Sequence, residues 1–142
     1  MKVKVIDYGY KNLPKRAHYN DAGADVYVCM HDCEEMTIAP HCSVKIPLGL
    51  GLILPDGVAA YVFPRSGLAS KGIVCELPPI DSGYRGEIHA IVTNCSGNMF
   101  TIKNGERIGQ LVITPVLLAD FVPESAPEFL QRGDNGFGST GM

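Results

Sequence analysis

Leu50-Gly51-Leu52-Ile53-Leu54-Pro55-Asp56-Gly57-Val58-Ala59-Ala60-Tyr61-Val62-Phe63 is the stretch that decides the fold class. Two apolar runs, 50–54 and 58–63, flank a Pro-Asp-Gly triplet. Runs this short suit strands better than helices. The triplet is a turn signal with a mechanism: proline presets φ, aspartate bonds nearby backbone, and glycine accepts positive φ.

Working outward, the same rhythm recurs. Val3–Ile6 opens in strand style, and Tyr8–Gly23 is polar and broken, as a loop is. Asp25–Met30 (DVYVCM) alternates and is rich in β-formers. Thr37-Ile38 and Val44–Leu48 are short apolar pieces divided by Pro40 and Pro47. Glu87–Thr93 (EIHAIVT) alternates until the turn cluster Asn94–Asn98. Met99–Ile102, Asn104-Gly105, Ile108–Thr114 and Val116–Phe121 continue the pattern. Only Ser66–Lys71 reads as helical, for about one turn. Short strands separated by turns predict an antiparallel sandwich or barrel.

The chain has 142 residues, which is one domain's worth, and 46% hydrophobic against 19% charged residues permits a buried core. A net charge of −3 argues against coating a nucleic-acid backbone. It leaves room for a small anion held by a few placed arginines. No apolar run reaches the length of a membrane-spanning helix, and MKVKVIDYGY is no secretory leader. Five cysteines, at 29, 33, 42, 75 and 95, are an odd number that fits free thiols in a cytoplasmic or other reducing intracellular compartment. Cys29, Cys33 and Cys42 with His31 and His41 lack the paired knuckles of a structural zinc site.

The last twenty residues differ in kind. Pro127 and the glycines at 133, 136, 138 and 141 oppose a packed element, so residues 123–142 read as a mobile arm beyond a β domain over 1–122.

Three segments combine turns with reactive side chains. Pro64-Arg65-Ser66-Gly67-Leu68-Ala69 follows an apolar strand, and its backbone N–H groups, hydroxyl and guanidinium suit an anion. The competing reading is a simple Ser N-cap. Ile80-Asp81-Ser82-Gly83-Tyr84 places a carboxylate and an aromatic ring about a Ser-Gly turn, as in a hairpin. The competing reading is a structural Asx-type turn. Arg132-Gly133-Asp134-Asn135-Gly136-Phe137-Gly138-Ser139-Thr140-Gly141 lets backbone approach a phosphate, with Phe137 free to stack on a base. A Walker A loop is excluded for want of Gly-Lys-Ser/Thr, and a Rossmann loop for want of its flanking strand and helix.

These residues resemble the homotrimeric deoxyuridine triphosphate nucleotidohydrolases (dUTPases). Ala22-Gly23-Ala24-Asp25, Pro64–Ala69, Ile80-Asp81 with Tyr84-Arg85-Gly86, Gly105–Leu111, and Arg132–Gly141 match the five motifs of that family in order. The resemblance implies an all-β jelly-roll or distorted-barrel subunit with a flexible C-terminal arm. It implies a trimer whose sites are each built from three chains. The reaction would take dUTP and water to dUMP and pyrophosphate with Mg²⁺ on the triphosphate. That would limit uracil in DNA and supply dUMP for thymidylate synthesis. Asp81 would be the general base for water attacking the α-phosphorus. Tyr84 would lie under the deoxyribose and exclude a 2′-hydroxyl, and the backbone about Ser82 and Gly83 would read uracil. Arg65, Ser66, Gly67 and Gln110 would hold phosphate oxygens. Arg132 would reach the γ-phosphate, Phe137 would cover uracil, and Gly138, Ser139 and Thr140 would add contacts to the phosphates. Asp25 would hold Mg²⁺ through water or pair with a nearby arginine, and Arg107 would be an ion-pair partner.

Pro78 stands where the family usually has glycine, three residues before Asp81. A proline lacks an N–H and fixes φ, so base recognition must adapt there. The related dCTP deaminases would carry a catalytic Glu at the position of Ile91 and an Arg at that of Ser70, and neither is present. A nucleotide-binding regulator without turnover is not indicated, since the base, the arm arginine and the stacking ring are all kept. A purely structural jelly roll would leave five nucleotide motifs unexplained.

Overall fold

The computed structural model describes residues 1–125. Ten strands follow in chain order: β1 Lys4–Asp7, β2 Ala24–Tyr27, β3 Glu35–Ile38, β4 Ser43–Pro47, β5 Leu50–Ile53, β6 Val58–Pro64, β7 Ile73–Cys75, β8 His89–Asn94, β9 Phe100–Lys103 and β10 Arg107–Pro115. A single helical turn, α1 Ser66–Ala69, sits between β6 and β7. The strands form four antiparallel sheets, ordered β1-β5, β2-β10-β6, β3-β9 and β4-β8-β7, wrapped about one core as a jelly-roll-like all-β fold.

The 50–63 stretch is two strands about a turn, and Gly57 takes the left-handed φ of 73° that the turn needs. The two strands do not pair with each other. β5 lies on β1, with Lys4 opposite Ile53, while β6 lies on β10, with Val58 opposite Pro115. The Pro-Asp-Gly turn is therefore a corner that moves the chain from one sheet to another, which wraps the sheets round a shared core. That core is built from Val26, Val28, Ile38, Ile46, Leu48, Leu50, Val92 and Ile108, each at most 1% exposed. Each contributes about 1.5–3 kcal/mol of burial.

Four details depart from the sequence reading. β2 ends at Tyr27, yet Val28, Cys29 and Met30 stay buried because Glu106, Pro47 and Asn104 take over their backbone amides. β7 was not foreseen, since three apolar residues carry no period to read. Val116–Phe121 is not a strand. β10 ends at Pro115, and Leu117 and Phe121 are each 97% exposed. Asn94, assigned to a turn, is the last inward residue of β8 and is fully buried. Its amide donates to Ile38 O at 3.0 Å and Asn98 O at 2.7 Å and accepts from Ser96 N at 3.0 Å, so no polar atom is stranded.

All five cysteines are free, with Cys29 and Cys75 buried and the other three exposed. Burial pushes the Cys75 thiol up to about 11 from 9.0, with the Glu76 carboxylate adding to it, and burial raises Cys29 as well. A thiol whose pKa is raised in the fold contributes its full share below the unfolded value and loses it as pH climbs through the folded value. No helix among the described residues is long and apolar enough to cross a membrane.

Two outcomes are expected. At pH 8, iodoacetamide should label Cys33, Cys42 and Cys95 in the native protein and reach Cys29 and Cys75 only in denaturant, as read by mass spectrometry. Asn94→Ala should cost about 3 kcal/mol in urea unfolding, because Ile38 O, Asn98 O and Ser96 N lose one partner at once.

Candidate functional site

Strand register assembles the first half of the site. β10 lies between β2 and β6, and Gln110 stands opposite Asp25 on one side and Phe63 on the other. Pairing thus gathers the segments about Asp25, Pro64 and Gln110 without any long side chain having to search. Gly23 makes this possible: a Cβ there would stand 2.9 Å from that of Gln110. With the space open, Gln110 Nε2 donates to Pro64 O at 3.2 Å.

Asp25 holds two guanidinium groups. Its Oδ2 accepts from Arg107 Nη1 at 2.9 Å, and its Oδ1 lies 3.5 Å from Arg65 Nε. The carboxylate is only 18% exposed, so the pairing is better shielded from water than a surface salt bridge. Of the two roles open to Asp25, the geometry shows the arginine pairing, and Arg107 is the ion-pair partner expected of it. Both oxygens face guanidinium groups, so Asp25 does not fit as a direct metal ligand. Among the described residues no group of three or more His, Cys, Asp or Glu gathers elsewhere.

Beyond Pro64 the chain turns into α1. Arg65, not Ser66, occupies the N-cap position, and no side chain caps the turn. The plain capping role for Ser66 is therefore not what the structure shows. Arg65 O accepts from Leu68 N and Ala69 N, both at 2.9 Å. The amides of Ser66 and Gly67 have no partner among the described residues, and a Cβ on Gly67 would meet nothing within 4 Å.

The second half of the site forms where β7 parts from β8. Glu76 N donates to Ile91 O at 2.8 Å as the last bond between them. Continuing that register would bring residue 78 opposite His89, but Pro78 has no N–H to give. The chain leaves β8 at Pro78-Pro79 and crosses to β6, where Ile80 and Ala60 exchange both backbone bonds, at 2.8 and 3.1 Å. A cavity of about 250 Å³ opens in the gap, lined by Asp81 and Tyr84 together with Pro78, Lys45, His89 and Ile91 among others.

Asp81 and Tyr84 are joined by a four-residue turn, Tyr84 N donating to Asp81 O at 3.0 Å. The expected two-residue hairpin is corrected here. No ladder flanks the turn, and neither Ser82 nor Gly83 takes a positive φ, which hairpin turns of that length require. Arg85, given no role from sequence, clamps the turn by donating to Ser82 O and Tyr84 O. Gly86 lets the Tyr84 ring fold back, since a Cβ there would lie 2.7 Å from Cζ. Tyr84 Oη then donates to Glu87 O at 2.9 Å. The Glu87 carboxylate accepts from Gly49 N at 2.9 Å and ties the loop to the barrel.

Asp81 and the Arg65–Ser66–Gln110 group are not brought together. They lie toward opposite ends of β6, separated by the run from Ala60 to Pro64, roughly 13 Å at strand rise. Sequence reasoning also passed over His89 and Lys45 as cavity residues. The alternation in EIHAIVT was the available signal, because it puts His89 and Ile91 on the face opposite Ala90 and Val92. Arg132, Phe137, Gly138, Ser139 and Thr140 lie outside the described residues.

The dUTPase family model matches residues 9–141. Two relatives named deoxyuridine 5′-triphosphate nucleotidohydrolase come from Ehrlichia canis (strain Jake) and Leifsonia xyli subsp. xyli (strain CTCB07). The first is 42% identical over 99% of this chain and 95% of its own, and the second is 44% identical over 92% and 86%. A point mutant of the dUTPase of Staphylococcus bacteriophage 80alpha, solved with dUpNHpp, superposes with a TM-score of 0.86. It is 26% identical, with 99% of each chain covered. A family match over nearly the whole chain, relatives 42% and 44% identical, and a closely similar fold place this chain in the dUTPase family.

Proposed function

We propose that the chain hydrolyses dUTP to dUMP and pyrophosphate in a homotrimer with composite active sites. One observation carries the composite site: the Asp81–Tyr84 cavity and the Arg65–Ser66–Gln110 group stand toward opposite ends of β6. A triphosphate held by the second group cannot present its α-phosphorus to Asp81 of the same chain. A neighbouring copy can supply the missing half. The apolar residues Leu117, Leu118, Phe121 and Val122, exposed by 78–97% beyond β10, support such an assembly.

The base would enter the cavity beside β8. His89 N–H and C=O face the same side as those of Ile91, toward the gap Pro78 leaves, and have no partner among the described residues. A free donor and acceptor side by side complement the O4 and N3–H of uracil. Pro78 thus moves part of base recognition from its own backbone to that of His89, alongside the turn residues Ser82 and Gly83. Tyr84, anchored through Glu87 O, would lie against the deoxyribose and leave no room for a 2′-hydroxyl. Ile91 lines the same cavity where a deaminase would need its glutamate, which supports hydrolysis over deamination.

The phosphates would lie on the unpartnered amides of Ser66 and Gly67, the Arg65 guanidinium and Gln110 of another copy. Asp25 would act from behind, fixing Arg65 and Arg107. When Mg²⁺ is present it would travel on the triphosphate and water, neutralising charge there. Asp81 would take the proton of the attacking water. Residues 123–142 would serve as an arm beyond the 1–122 domain. On it Arg132 would reach the γ-phosphate, Phe137 would cover the base, and Gly138, Ser139 and Thr140 would complete the phosphate contacts, with closure excluding bulk water. The product would feed thymidylate synthesis, and removing dUTP would keep uracil out of DNA.

Asp81→Asn should lower kcat on dUTP by about 10²–10⁴-fold while dUTP still binds, as measured by pyrophosphate release and calorimetry. A variant that turns over at the normal rate would refute the base assignment.

A further inference from the structure

We propose that Tyr8, just past the end of β1, is a positioning residue that sets the turn carrying Asp81 and Tyr84. This rests on the proposed reading of Asp81 and Tyr84 as the residues that meet the nucleotide.

A long-range hydrogen bond carries the argument. Tyr8 Oη donates to Arg85 O at 2.7 Å, across 77 positions of the chain. Arg85 in turn donates through Nη1 to Ser82 O and Tyr84 O, and Tyr84 N donates to Asp81 O. These inner bonds give the turn its shape but do not fix its place on the barrel. The ends are fixed elsewhere, Ile80 by its exchange with Ala60 and Ile88 by donating to Leu50 O at 2.8 Å. Between them, among the described residues, the backbone of 81–87 receives one hydrogen bond from outside residues 80–89, and Tyr8 supplies it.

Tyr8 is itself held by backbone. Asp7 ends β1 opposite Leu50, and its carboxylate accepts from Gly9 N at 2.7 Å. Tyr8 N and Tyr10 N both donate to Gly49 O, at 2.9 and 3.0 Å. Gly51 of β5 leaves room for the ring, since a Cβ there would stand 3.0 Å from Tyr8 Cε2 and 2.8 Å from Gly86 O. The residue is 38% exposed, so core packing does not account for a phenol at this position. Its partner does: the hydroxyl pins the Arg85–Gly86 peptide, and the Arg85 guanidinium carries that constraint back into the turn. A reacting group displaced by about 1 Å can lose about 10²-fold in rate. A tether on this turn therefore acts on the chemistry without touching the nucleotide.

The test uses the full-length protein and Tyr8→Phe, which keeps the ring and removes the hydroxyl. Its kcat/KM on dUTP should fall more than threefold. The preference for dUTP over UTP should fall by a similar factor, because Tyr84 moves with the turn. The urea midpoint should hold, while hydrogen exchange quickens at the Tyr84 amide. Tyr19→Phe removes a hydroxyl from a residue 96% exposed on the same N-terminal loop, and should leave all four readings unchanged. Activity and preference within threefold of wild type in Tyr8→Phe, or a Tyr84 amide exchanging at the wild-type rate, would overturn the inference. So would a loss of activity that only matches a loss of folded protein. Absence of dUTP hydrolysis by the unaltered protein would instead sink the proposed function.

Discussion

The register of β10 is the constraint on which the remainder depends. Placing Gln110 opposite both Asp25 and Phe63 sets which residues meet at the end of the β2-β10-β6 sheet. A slip of one residue would turn Gln110 to the other face and carry Ile108 and Leu111 out of the core. Burial therefore enforces the geometry of the Arg65–Ser66–Gln110 group. Gly23 and Gly109 allow the close approach, since a Cβ on Gly109 would lie 2.8 Å from Val62 Cγ1 and 3.0 Å from Phe63 O. Hydrophobic packing, not the charges, sets the position of Arg65. Asp25 then orients the guanidinium that packing has delivered.

The cavity beside Asp81 has a different origin. It exists because a ladder stops. Pro78 cannot donate to His89, the chain diverges to β6, and the gap becomes a slot with an unpaired strand edge on one wall. The loop that closes the slot is held by short-range bonds, from Arg85 to Ser82 and Tyr84 and from Tyr84 to Glu87. Gly86 and Gly51 admit this folded loop against the barrel, a Cβ on Gly51 standing 2.8 Å from Gly86 O. Glycines in the family motifs thus divide into those the fold explains, such as Gly23 and Gly86, and those it does not. Gly67 and Gly83 have open space around them and no positive φ, which fits positions approached by a substrate or a second copy.

Much of this was legible in the sequence. Short apolar runs placed the strands at 58–64 and 107–115, and period-two alternation the one at 89–94, each to within a residue or two. The Pro-Asp-Gly turn was also visible, but not that it joins two sheets, since pairing partners are chosen by long-range packing. Asn94 was misread because asparagine is a turn former in isolation, and only the folded core supplies its three backbone partners. β7 was too short to show a period. Asp81, Tyr84, Arg65 and Gln110 were found as motifs. The resemblance implied that several chains share each site; what could not be read was the separation of these residues toward the two ends of β6, because linear order carries no distances between strands. Pro78 was noticed as a departure, and the structure gives it a physical consequence: the ladder stops before His89, which keeps no partner on that side among the described residues.

The central claim is that Asp81 of one copy faces a triphosphate held by Arg65, Ser66 and Gln110 of another. A crystal structure of the full-length protein with a non-hydrolysable dUTP analogue tests it most directly. The account predicts one ordered water between the Asp81 carboxylate and the α-phosphorus, with the phosphate oxygens on Ser66 and Gln110 of a neighbouring chain. An analogue bound wholly within one chain, or with its α-phosphorus remote from every Asp81, would contradict it.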